Sequence, residues 1–200
     1  MSDSPQKKWP YKRRSDGKIA VVVDSNAWDY LLEKHVDLRV ELPLEQFAVF
    51  IPREVEIELA ALKGIDQRKR DLIQYIAEAN AASGVQVSSN FGFNTGTGAP
   101  QTFGGFGGTF QSDVEREFYA EVRALFLNKP SKGSGLADNQ ADAALGALSF
   151  FAVVITMERP KKPGPIRFAS ERDGRILFLR SFGGTTDPLR DLVVRIHEKP

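Results

Sequence analysis

Two runs of apolar, mostly β-branched residues constrain this chain more than any other feature: Ile19-Ala20-Val21-Val22-Val23 and Ala152-Val153-Val154-Ile155. Neither alternates with polar residues, so a strand made from either has no face for water and must be covered on both sides. Each run also stops at a polar group, Asp24 in the first and Thr156 in the second. Strands covered on both faces call for helices above and below a parallel sheet. Helical spacing or composition marks residues 26–34, 54–63, 67–82, a segment opened by the capping sequence Ser112-Asp113-Val114-Glu115, and the Ala-rich stretch 136–151. Phe47 to Ile51 and Val85 to Val87 read as further strands. The expectation is an α/β fold, a three-layer α/β/α arrangement with a mostly parallel central sheet.

The flanking segments read differently. Residues 1–17 hold two Pro, a Gly and no periodicity, which predicts a flexible basic N-terminal arm. Residues 18–158 form the expected domain. Within it, residues 88–111 are rich in Gly and carry Phe at 91, 93, 103, 106 and 110 without helix or strand period. They predict a long flexible loop, mobile or ordered against another subunit, with stacking of its rings on unpaired bases as the alternative. Residues 159–200 predict a C-terminal extension in which Ile166–Phe168 and Arg175–Arg180, flanking Asp173-Gly174, pair as a β-hairpin.

Composition limits the chemistry. With 200 residues the chain is long enough for one substantial core. It has no Cys and two His, His35 and His197, which removes thiolate metal sites, Cys nucleophiles and imidazole-rich centres and leaves carboxylates to do any catalysis. Six basic side chains against two acidic in residues 1–18, and ten against five in residues 159–200, on a chain of formal net charge +1, leave the middle at −8. An acidic body with basic ends suits a cation-holding site and a polyanionic partner. No apolar run reaches the roughly 18 residues of a membrane span, and the N-terminus has no signal-peptide stretch, so the expected location is cytoplasmic, without a membrane partner.

Functional groups in open α/β sheets collect beyond the carboxyl ends of the strands, where strand order reverses. Asp24 and Glu158 share that rim if the two apolar strands are neighbours. Glu58 lies on the helix after the second strand, and Asp138 and Asp142, spaced i, i+4, share one helix face. Carboxylates gathered in one pocket raise one another's pKa unless a cation compensates, and oxygen-only ligation suits Mg2+ or Mn2+. Such ions activate water and stabilise the leaving oxygen of a phosphodiester. Each candidate has a structural alternative: helix capping for Asp24, Asp138 and Asp142, a solvated helix face for Glu58, and a surface pair with Arg159 or Lys161 for Glu158. Asn26 and Thr156, at the strand ends, are candidates to orient a water or phosphate. Lys12, Arg13 and Arg14, interleaved with Trp9 and Tyr11, read as phosphate contacts of an RNA-binding arm.

Four segments in order, Val21-Val22-Val23-Asp24-Ser25-Asn26, Ile51-Pro52-Arg53-Glu54-Val55-Glu56-Ile57-Glu58-Leu59, Ala141-Asp142-Ala143-Ala144-Leu145-Gly146-Ala147 and Val153-Val154-Ile155-Thr156-Met157-Glu158, resemble the PIN-domain ribonucleases. The resemblance covers residues 19–158. It implies a PIN-like fold and a metal-dependent endoribonuclease in which Asp24, Glu58, either Asp142 or Asp138, and Glu158 hold Mg2+ or Mn2+. Glu158 stands where the family usually has Asp or Asn. RNA is the implied substrate, with a toxin–antitoxin role, another protein partner and a homodimer as open alternatives. The rival expectation is a PIN-like scaffold that binds RNA or a protein without cleaving.

Overall fold

In the computed structural model, which describes residues 8–61, 66–88, 90–91, 109–110, 112–127, 139–182 and 187–200, the first apolar run is β1 (Ile19–Val23). The chain continues through α1 (Ser25–Glu33), α2 (Leu38–Glu41), β2 (Phe47–Pro52), α3 (Arg53–Ala61), α4 (Gln67–Ser83) and β3 (Gln86–Ser88). Then come β4 (Asn90–Phe91), β5 (Thr109–Phe110), α5 (Asp113–Phe126), α6 (Gln140–Leu148), β6 (Val153–Thr156), α7 (Pro165–Ser170), β7 (Ile176–Phe178), a 3-10 turn (Leu179–Phe182) and α8 (Leu189–His197).

Five strands form one sheet in the order β3-β2-β1-β6-β7, with every pairing parallel. The two apolar runs are direct neighbours, Val21 opposite Val153 and Val23 opposite Ile155. Successive residues of a strand face opposite sides, so burial of all of Ala20 to Val23 and of Val153 to Thr156 means that both sheet faces are covered. The fold is therefore α/β, compatible with three layers. Helix α6 packs on β2 and β6 and gathers α5 and α7 around it; α1, α2 and α4 form another group, and α8 lies against β1, β6 and β7. Strand order reverses between β1 and β6, since β2 and β3 continue on one side and β7 on the other.

Local signals explain several boundaries. Ser112 accepts from the Glu115 amide while the Glu115 side chain accepts from the Ser112 amide, the reciprocal capping that the sequence predicts. Gly84 ends α4 at φ 55°, a left-handed conformation that glycine adopts without cost. An edge-to-face set of rings, Phe118 with Trp9, Phe150 and Phe168 at centroid distances of 5.9, 5.6 and 5.8 Å, ties α5 to the rest of the core.

Three expectations are corrected. The C-terminal hairpin does not form: Ile166–Phe168 is helical in α7, and Ile176–Phe178 joins the main sheet as a parallel strand beside β6. Pro165 opens α7, a position where its missing N–H costs nothing, and left-handed Asp173 with the Gly174 amide bonded to the Ala169 carbonyl closes it. The Asp-Gly pair thus marks the end of a helix. The basic arm is also part of the fold from residue 8: Trp9 is 3% exposed, and the Lys12 amide donates to the Phe150 carbonyl at 2.9 Å. Finally, the Gly/Phe segment contains a parallel two-strand pairing, Asn90 with Thr109 and Phe91 with Phe110. Residues 89, 92–108 and 111, 128–138 including Asp138, and residues 1–7 lie outside the described residues. Among the described residues no helix is long and apolar enough to cross a membrane.

A Cβ at Gly146 would stand 2.6 Å from Phe118 Cζ and 3.1 Å from the Pro165 carbonyl oxygen. Phe118 is fully buried among other rings and has nowhere to withdraw. Gly146→Ala is expected to cost about 1–3 kcal/mol, read as a lower urea midpoint at unchanged m. Wild-type stability in the variant would show that α5 and α6 are not held this closely.

Candidate active site at the carboxyl edge of the sheet

β1 delivers Asp24, and β6 delivers Thr156, Met157 and Glu158, to the same edge at the point where strand order reverses. The Asp24 amide donates to the Ile155 carbonyl at 3.0 Å, which carries the ladder one residue past β1. Asp24 is 2% exposed. Thr156 Oγ1 donates to Asp24 Oδ2 at 2.6 Å, and Ser25 Oγ lies 3.3 Å from Oδ1. The Asp24 side chain makes no capping bond to α1, so its helix-cap alternative is not what it does. Burial pushes its carboxyl above the usual range, Glu158 pushes it in the same direction, and the bonds from Thr156 and Ser25 oppose them.

Thr156 is fully buried and its hydroxyl accepts from the Glu158 amide at 3.0 Å while donating to Asp24. It therefore positions Asp24, where the sequence reading had it meeting a water or phosphate. Asn26 Oδ1 accepts from the Met157 amide at 2.8 Å. Because that partner is a donor, the amide orientation follows, and Nδ2 has no partner among the described residues.

Glu158 pairs with Lys162, Nζ to Oε1 at 2.7 Å, rather than with Arg159 or Lys161, the partners the sequence suggests. Its side chain is 19% exposed. The Lys162 ammonium is held above its usual value first by that hydrogen bond and further by the charges of Glu158, Asp142 and Asp24, while partial burial opposes. Asp142, in the first turn of α6, shares with Glu158 and Lys162 a small recess closed by Pro163 and Gly164. Two of the five predicted carboxylates, Asp142 and Glu158, thus share one recess with Lys162, and Asp24 stands at the neighbouring strand end, where its charge also acts on that ammonium. Glu58 is on α3, which packs on α6, but its side chain lies outside the described residues, as does Asp138. Among the described residues no three carboxylate or imidazole groups stand close enough to cage an ion by themselves. The donor chemistry does fit a hard divalent cation: oxygen ligands only, and a buried Asp24 repelled by Glu158.

Beside this corner is a cavity of about 590 Å³ whose walls include Asn26, Glu158, Arg159, Lys161, Lys162 and Arg180. Arg180 is anchored there by Nε donating to the Met157 carbonyl at 2.7 Å. Sequence reading missed these cations. The signal was present in Arg159-Pro160-Lys161-Lys162-Pro163-Gly164-Pro165, a basic stretch that its prolines keep out of the sheet immediately after Glu158. Lys12, Arg13 and Arg14, assigned to substrate from sequence, do not line this cavity. Trp9 anchors their segment on the core while Lys12, Arg13 and Arg14 themselves stay exposed; Lys12 lies over Phe151 and Arg14 over Phe50 with its guanidinium paired to Asp16. Comparison with protein-family models and with curated proteins finds no match to this chain.

Asp24→Asn keeps an acceptor for Thr156 and removes the charge. A carboxyl raised by burial above its usual 3.8 destabilises the fold at pH values above that figure, and the penalty vanishes where the group is protonated in both states. The variant should therefore be more stable than wild type at pH 7 without added cation, and the gap should close as pH falls below about 4. Paired thermal melts across pH measure this; lower stability of the variant at pH 7 would refute a burial-strained Asp24.

Proposed function

We propose that this protein is a cytoplasmic endoribonuclease of PIN-like fold that requires Mg2+ or Mn2+. The observation that carries the reading is the buried Asp24 at the strand-order reversal, with Asp142 and Glu158 sharing a recess with Lys162 nearby and a cavity lined by cations beside them. Asp24, Asp142 and Glu158 would hold the ion, with Glu58 and Asp138 as the further ligands implied by the motif resemblance. A bound divalent cation supplies Lewis acidity there, lowering the pKa of water and neutralising phosphodiester charge.

The chain's own residues do the rest. Thr156 fixes Oδ2 of Asp24, and Ser25 lies beside Oδ1 with its hydroxyl at 3.3 Å. Arg159, Lys161 and Arg180 attract the phosphate backbone and set its register, and Asn26 Nδ2 offers a neutral donor to a phosphate or ribose oxygen. The Lys162–Glu158 pair is equally what an RNA-binding scaffold without cleavage would retain, so the assay must separate binding from hydrolysis.

Labelled single-stranded RNA should be cut by the wild type in Mn2+ and left intact in EDTA. Asp24→Asn and Asp142→Asn should each slow cleavage by roughly 100-fold or more at saturating Mn2+. Lys161→Ala and Arg180→Ala should weaken binding and lower the salt slope by about one each. RNA that is bound but never cut would establish the scaffold reading.

A further inference from the structure

Lys162 borders two unlike spaces. On one side is the recess with Asp142 and Glu158; on the other is the basic cavity of Arg159, Lys161 and Arg180. Its Nζ is 2.7 Å from Glu158 Oε1, and half of its side chain remains exposed, at 52%. The stem is long and flexible, and the pair is open enough to water for either partner to be exchanged. An ammonium bonded to Glu158 in a recess shared with Asp142 does electrostatically what a bound cation would do there, and the two positive charges repel when both are present.

We propose that Lys162 is a built-in counter-cation of the carboxylate corner: it pairs with Glu158 when no divalent ion is bound, and turns into the basic cavity, onto a phosphodiester, when an ion takes the carboxylates. This rests on the nuclease reading and adds a coupling to it. The ion and the RNA then help each other bind, because each removes the competitor of the other, and such coupling is reciprocal. Lys162 acts through Glu158 and the ion, and is in that sense a positioning residue.

The test is Mn2+ binding to the full chain, read from the electron paramagnetic resonance signal of free Mn2+ without RNA. Lys162→Met should bind Mn2+ on the order of tenfold more tightly than wild type. Lys162→Arg, which keeps the charge, should stay within about threefold of wild type, as should Lys34→Met, which removes one charge at the far end of α1. Tighter binding in Lys162→Met alone supports the proposal. Equal or weaker binding in that variant overturns it while leaving the metal site standing, whereas no Mn2+ binding by any of the four proteins overturns the nuclease reading and the coupling together.

A metal-free measurement checks the other half. In EDTA, Glu158→Gln should free Lys162 and tighten binding of a short single-stranded RNA several-fold, and the gain should disappear when Lys162→Met is combined with it. The same gain in both backgrounds would show that Glu158 acts on RNA by bulk repulsion and would refute a transferable ammonium.

Discussion

The burial of β1 and β6 on both faces governs everything else in this protein. Val21, Val22, Val23, Val153, Val154 and Ile155 are at most 1% exposed, so neither strand has a lateral surface on which a polar group could work. Polar chemistry is pushed to the strand ends, and because β1 and β6 are parallel neighbours their carboxyl ends coincide. The Thr156 hydroxyl joins them by its bond to Asp24. The same burial that places Asp24 makes its charge costly, and that cost gives a cation something to relieve.

The charges around Asp24 differ in kind from those elsewhere. Arg14 with Asp16 and Arg39 with Asp37 are forked pairs on the surface, two residues apart in sequence, each fixing a local turn. Such pairs contribute little to stability. At the carboxyl edge the countercharge comes from Lys162, whose ammonium is a compact point charge on a flexible stem. Among the described residues no guanidinium fork holds Glu158 in place. An exchangeable partner is what a site needs if its carboxylates are to change occupant.

The opposite end of the sheet is closed. Trp9 packs edge-on against Phe118 and Phe150, Tyr11 lies 2.9 Å from His197 Nδ1, and the Arg175 guanidinium sits 5.1 Å from the Tyr11 ring. Burial there raises the Tyr11 hydroxyl to about 12 and, with Arg13 and Arg175, lowers His197. Aromatic rings and half-buried polar groups close this edge, whereas the carboxyl edge carries the cation-lined cavity.

What the sequence determined by itself was whatever depends on short range. Unalternating apolar runs require two-sided burial, and that requirement alone predicted the parallel β1 and β6, while the Ser112 to Glu115 cap predicted where α5 starts. Asp24 and Glu158 were legible as rim residues because a strand's end is a sequence feature. The tertiary structure decided the rest. Asp173-Gly174 serves a hairpin or a helix end equally well until Ile166 and Ala169 find the core, and Trp9 gives a polar arm its anchor only because Phe118 and Phe150 leave a ring-sized place for it. Lys162 became part of the site for the same reason: which cation reaches a carboxylate depends on how the chain folds back after Pro160 and Pro163, a three-dimensional fact that no periodicity encodes.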